Sequence, residues 1–228
     1  YKARRAATLI VGVSCSPDSD CFCNLWDADE ARFGYDLFLH RLGDKFLVSI
    51  SSVEAANILE SAVDLRDATN EDRIEFRHAT RARQAAFNSE IPEIQDVAML
   101  MDAFHSDPFW EELGSKCLAC NACAAVCPTC FCFDIQDVLD PDGQTGERQR
   151  IWDACTSQVF AVVAGGHNFR PTGHERVRHR MYHKLNGFLA TYDRMLCVGC
   201  GRCVKACKAD INPIRVLEFF EKKGAEGA

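Results

Sequence analysis

Three things are missing from this sequence of 228 residues. No apolar run approaches the roughly 20 residues that a membrane-spanning helix needs; Phe160-Ala-Val-Val-Ala164, among the most apolar stretches, is far too short. No glycine-rich phosphate loop occurs, so the chain is not expected to bind a nucleotide itself. No DNA-reading module accompanies the rest, and a net charge of -7 makes the average surface repel phosphate. Nucleic-acid binding is therefore a poor reading. The start, Tyr1-Lys-Ala-Arg-Arg5, carries basic residues but no signal-like apolar stretch or cleavage box after them, so a secreted disulfide scaffold lacks its usual address. A soluble, cytoplasmic protein is expected. Opening on Tyr1 instead of Met predicts a chain trimmed at its start.

What is present is an apolar fraction of 47%, enough for a core in one large domain or two ordinary ones, and 14 cysteines. Thiols this dense without secretion usually hold metal. The first fifty residues read as β-rich. Thr8-Leu-Ile-Val-Gly-Val13 is a short buried strand by its β-branched content, and Asp36–Leu42 and Lys45–Ile50 flank a two-residue turn at Gly43-Asp44. Ser51-Ser-Val-Glu54 has the form of a capping box opening a helix through about Ala62. Further helices are predicted over Asn70–Phe87, from near Pro92 with a stripe through Val97, Met101 and Phe104, over Ile151–Ala164, over Glu175–Tyr192, and over Pro213–Lys223. Asp140–Gly146 reads as a loop. The predicted class is α+β: a β-containing region over residues 1–65, the remainder of a larger N-terminal domain, then a mainly α-helical ferredoxin-like domain over residues 66–228.

Six of the cysteines fall between Cys117 and Cys132. The runs Cys117-x2-Cys120-x2-Cys123-x3-Cys127 and Cys197-x2-Cys200-x2-Cys203-x3-Cys207 share one spacing, that of bacterial two-cluster ferredoxins, in which the fourth cysteine of each run ligates the other cluster. The expected ligand sets are Cys117, Cys120, Cys123 and Cys207 for one [4Fe-4S] cluster, and Cys197, Cys200, Cys203 and Cys127 for a second. Zinc ribbons place two CxxC knuckles well apart, which four cysteines in eleven residues, repeated, fit poorly. Lys208 stands where the pattern has proline, a position that donates no ligand. The first cysteines of the two runs are 80 residues apart, which favours clusters held between helices over a minimal ββ ferredoxin.

Cys15, Cys21, Cys23, Cys130, Cys132 and Cys155 remain, and Cys21-Phe-Cys23 repeats as Cys130-Phe-Cys132. These are either small buried residues or part of a third metal centre, whose candidate ligands are Cys15, Cys21 and Cys23 with Cys155 or a cysteine preceding Tyr1 as the fourth. From His167 to Lys184 there are five Arg or Lys and four of the seven histidines against one acid, Glu175. This run is either the solvated face of an amphipathic helix or a set of charges that raises a cluster's potential, docks an acidic partner or meets a nicotinamide phosphate.

The strings Cys127-Pro-Thr-Cys-Phe-Cys-Phe-Asp134, Trp152-Asp-Ala-Cys155, Asn168-Phe-Arg-Pro171, Arg178-His-Arg-Met-Tyr-His-Lys184 and Cys197-Val-Gly-Cys-Gly-Arg-Cys203 resemble the beta-type iron-sulfur subunit family. That family includes the beta subunit of soluble sulfhydrogenases and the iron-sulfur subunit of anaerobic sulfite reductase. Val11-Gly-Val-Ser-Cys15, Cys21-Phe-Cys23 and Phe33-Gly-Tyr-Asp-Leu37 extend the resemblance over nearly the whole chain. It implies a non-catalytic electron-transfer subunit of an oxidoreductase complex. Its partners would be the small and large subunits of a cytoplasmic [NiFe] hydrogenase, together with a flavin/NAD(P)-binding subunit; the catalytic subunit of sulfite reductase is the alternative. It also implies a further N-terminal part bearing another cysteine. A thiol/disulfide-active subunit of the heterodisulfide-reductase kind is a second reading, and a cluster-based redox sensor a third.

Overall fold

The computed structural model describes residues 2–226; Tyr1, Gly227 and Ala228 lie outside the described residues. It is an α+β structure that divides into two compact units, meeting in sequence at Asn88–Ser89.

In the first unit, helix α1 (Lys2–Ala6) leads to strand β1 (Val11–Val13), which pairs parallel with β2 (Leu37–Leu42). Strand β3 (Lys45–Ile50) returns antiparallel, with Leu37 opposite Ile50 and Leu42 opposite Lys45. The expected turn forms: Gly43 sits at φ 60, a conformation open to glycine without steric cost. Gly12 is required for a different reason, since a Cβ there would lie 2.4 Å from the Phe38 ring. Helix α2 (Val53–Ala62) follows, capped by Ser52, whose hydroxyl accepts from the Ala55 N–H; the cap falls one residue later than the predicted box at Ser51. Helix α3 (Asn70–Ala85) opens on a reciprocal capping box between Thr69 and Asp72. Phe22, Leu37, Phe38 and Leu42 are buried here, and His40 packs against the Phe38 and Phe76 rings. Through Phe76, α3 belongs with the β-sheet. The predicted boundary at residue 65 therefore differs from the observed division at Asn88.

In the second unit, α4 (Val97–Ala103) starts later than the sequence suggests because Asp96 adopts a left-handed φ of 51, which a helix cannot contain. Helix α5 (Phe109–Lys116) runs into the first cysteine loop, and the short α6 (Ala122–Ala125) follows it. Strands β4 (Phe133–Leu139) and β5 (Gly146–Trp152) then form a hairpin around the predicted 140–146 loop, with Phe133 opposite Trp152. The helix predicted over Ile151–Ala164 is absent: Ile151 and Trp152 are in β5, and turns occupy the rest. All residues of both strands are exposed, so this hairpin has no buried face and no alternating apolar pattern by which to read it. Helix α7 (Gly173–Leu185) ends before Asn186-Gly187, and a separate turn, α8 (Leu189–Tyr192), replaces the predicted single helix. A short α9 (Arg202–Ala206) carries the second cysteine run, and α10 (Pro213–Glu226) closes the unit. Trp110, Leu113, Val177, Met181, Leu185, Leu217 and Phe220 form its core.

One close approach fixes the site. Cβ atoms built on Gly114 of α5 and Gly173 of α7 would lie 2.3 Å from the His174 Cα and 2.5 Å from the Gly114 carbonyl oxygen. Only glycine lets these backbones meet, and the contact anchors α7 beside the helix that delivers Cys117.

Candidate metal centre

The two cysteine runs fold alike. Cys117 ends α5 in an extended conformation, and the chain then takes a left-handed φ at Ala119 (50) and Asn121 (62). In the second run the same two places are Gly199 (63) and Gly201 (69). Each loop is thus turned back on itself twice, which aims its second and third thiols toward the first; α6 and α9 carry the third ones, Cys123 and Cys203. A left-handed alanine is unfavourable without cause, and its repetition at the position of Gly199 marks a backbone shaped by what the loop surrounds. Thr156 donates to the Asn121 side chain at 2.9 Å and steadies the first loop.

Cys117, Cys120, Cys123 and Cys207 line a single pocket with Val177, Arg180 and Ile211. Cys207, from the second run, thus sits with the first three thiols of the first. The converse holds for Cys127: Cys203 interacts electrostatically with Cys127 and Cys200, and Cys197 with Cys203 and Cys127. Burial pushes Cys197 up to about 12 and raises Cys123 and Cys203 as well. Such thiols keep their protons unless a metal ion replaces them. The Ile211 N–H donates to the Cys207 sulfur at 3.2 Å, the kind of bond that stabilises charge on a ligated thiolate. Among the described residues no three Cys, His, Asp or Glu side chains converge as a single ion requires. A multi-iron cluster takes its thiolates on separate corners, so two rings of four cysteines fit it. None of the 14 cysteines is in a disulfide.

The other thiols separate into two groups. In the first unit Cys23 is pushed up to about 11 by burial and then by Cys21 and Cys15, but among the described residues these thiols do not converge as a single ion requires. Cys155 is buried in the second unit, beside Cys132, Cys123 and Arg180. Cys130 contacts Cys127 and accepts from Arg180 at 3.5 Å. The Cys130 hydrogen bond, aided by the Thr129 hydroxyl and then by Lys184, pulls Cys127 below the usual thiol range.

Within the basic segment only part of the charge is a solvated face. Arg176, Arg180 and Lys184 are buried, one helical turn apart and each adjacent to the apolar stripe of Val177, Met181 and Leu185. Thr129 was not a candidate by sequence, yet it accepts from Lys184 at 3.0 Å and donates to the Leu196 carbonyl at 2.6 Å, tying α7 to the approach of the second run. The spacing of 176, 180 and 184 was the available signal.

Residues 116–211 match the family model of the 4Fe-4S dicluster domain, which spans both rings of cysteines. The chain is also 37% identical, over 219 residues, to the Sulfhydrogenase 2 subunit beta of Pyrococcus furiosus. The chain belongs to the beta-type iron-sulfur subunit family. The match covers 96% of this chain and 64% of that relative, so the chain spans just under two-thirds of the relative's length. No solved structure matches the chain. As a member of this family it is an iron-sulfur protein, and its described helices include none long and apolar enough to cross a membrane.

Proposed function

We propose that this chain relays single electrons through two [4Fe-4S] clusters, one held by Cys117, Cys120, Cys123 and Cys207, the other by Cys197, Cys200, Cys203 and Cys127, in a ferredoxin-like arrangement. The observation that carries the reading is the exchange of the fourth thiol: Cys207 lines the pocket of the first loop while Cys127 faces Cys197 and Cys203. That exchange brings the two rings close together, and short separations favour one-electron transfer. Redox chemistry is supplied by the clusters; the protein supplies ligation, burial and hydrogen bonds to sulfur. As in its sulfhydrogenase relative, the chain acts as one subunit of a larger assembly. It works in a reducing compartment, the cytoplasm, where free thiols persist, between a [NiFe] hydrogenase and a flavin/NAD(P)-binding subunit.

Iron and acid-labile sulfide on anaerobically purified protein test the reading. About 8 irons correspond to two cubanes, and about 12 add a third centre at Cys15, Cys21 and Cys23. Cys207→Ser should disturb the cluster of the Cys117 loop and leave the other. Retention of both signals unchanged, or a reduced sample without a cubane paramagnetic spectrum, overturns it. Recovery of the chain with flavin- and nickel-containing subunits tests the partners.

A further inference from the structure

Helix α7 buries three cations, and they are not alike. Arg176, 6% exposed, donates to the carbonyl oxygens of Arg170 and Pro171 and so fastens the preceding loop. Arg180 and Lys184, each 4% exposed, meet no carboxylate among the described residues. Arg180 donates to the Cys123 carbonyl at 2.8 Å and to the Cys130 sulfur at 3.5 Å; Lys184 donates to the Thr129 hydroxyl at 3.0 Å. Burying a cation without an anion is strongly unfavourable, and acids elsewhere in the chain pair with other cations. What surrounds these two is sulfur. Arg180 faces Cys123 of the first ring and Cys203 of the second, whereas Lys184 faces Cys127 and Cys197, both of the second.

We propose that Arg180 and Lys184 are positioning residues that set the cluster potentials, Arg180 shared by both clusters and Lys184 acting on the Cys197 cluster alone. The inference rests on the two-cluster reading above. A cubane with four thiolates is anionic in both working states, and reduction adds one further negative charge with no proton. A fixed cation in a low-dielectric interior favours the reduced state by direct attraction, with little screening by salt. Two buried cations serve the Cys197 cluster and one serves the Cys117 cluster, whose pocket is also lined by Lys208, an exposed side chain that water and salt screen. The Cys197 cluster is therefore the more readily reduced, and an electron on the pair rests there. Arg180 also lessens the repulsion that a second electron would meet.

The test is an anaerobic redox titration of the full chain with dithionite, followed by electron paramagnetic resonance and paired with iron counts. Methionine keeps the apolar stem of either side chain and removes its charge. Lys184→Met should lower one potential and spare the other; Arg180→Met should lower both. Each affected reduction equilibrium should fall about tenfold or more, about 59 mV for a one-electron couple. Arg180→Lys should recover most of the loss, which a purely structural role for the guanidinium does not predict. Unmoved potentials at full iron content overturn the inference, as does an equal fall of both in Lys184→Met. If the α7 variants lose iron, Cys207→Ser decides: the signal it disturbs should be the lower-potential one of the wild type, and disturbance of the higher one overturns the ordering. A wild type without two cubane signals refutes the underlying two-cluster reading instead, so the two failures are distinguishable.

Discussion

The two units of this chain neutralise their cations in opposite ways. In the first, Arg5 pairs with Asp36, Lys45 and Arg66 with Asp72, and Arg83 with Asp29 and Glu30. In the second, carboxylates meet exposed cations such as Lys116, Arg148 and Arg215, while the buried Arg176, Arg180 and Lys184 face carbonyl oxygens, a hydroxyl and thiols. The first unit carries its counter-charges within the sequence. The second leaves a place for anions that its described carboxylates do not supply, and under the proposed two-cluster reading ligated iron-sulfur clusters would fill it with charge as well as with covalent links.

Iron removal should separate the units most sharply. Stripping the metal leaves eight unligated thiols and two buried, uncompensated cations, so amides in α7 and α10 should lose protection from hydrogen exchange by orders of magnitude, while those of β2 and β3 keep theirs. Equal loss in both units would break the comparison. Next in size, Gly114→Ala should cost about 1–3 kcal/mol and lower iron loading, because its Cβ would sit 2.3 Å from the His174 Cα of α7. Chemical denaturation with cluster absorbance as one probe measures both. Thr69→Ala, which removes the α3 cap, should cost about 1 kcal/mol in the first unit and leave cluster spectra unchanged. The smallest effect concerns pH. Burial, and then Arg170, hold His179 down to about 4, so the folded second unit favours the neutral ring. Its contribution to stability is present above the ordinary histidine pKa and is lost as pH falls from about 6.5 toward about 4. His179→Gln should flatten that part of the pH profile; an unchanged slope would place the titration elsewhere.

Elements with one buried side were legible. The β2–β3 hairpin announced itself through Gly43-Asp44 between two apolar runs, and α10 through Pro213. The β4–β5 hairpin escaped because neither of its faces is buried, so apolar residues such as Phe133, Ile135 and Trp152 follow no pattern set by the core. Helix α4 began late because Asp96 is left-handed, a conformation that aspartate tolerates better than most residues but that its presence alone does not announce. Within the basic segment, composition alone could not separate Arg180 from its half-buried neighbours Arg178 and His179, since that depends on which helix face is covered.

By itself the sequence determined that there are two thiol loops of one kind, because ligand spacing is a local property of a few consecutive backbone turns. It also determined the family, through short strings that need no folding to be read. The spacing likewise led the sequence to expect Cys207 with the first loop and Cys127 with the second; only the tertiary structure decided that two buried cations, which meet no carboxylate among the described residues, lie against these thiols, Arg180 facing both runs and Lys184 the second. Those contacts reach from α7 back to Cys123 and Thr129, more than fifty positions away, and which residues meet depends on how α5, α7 and the paired short helices pack.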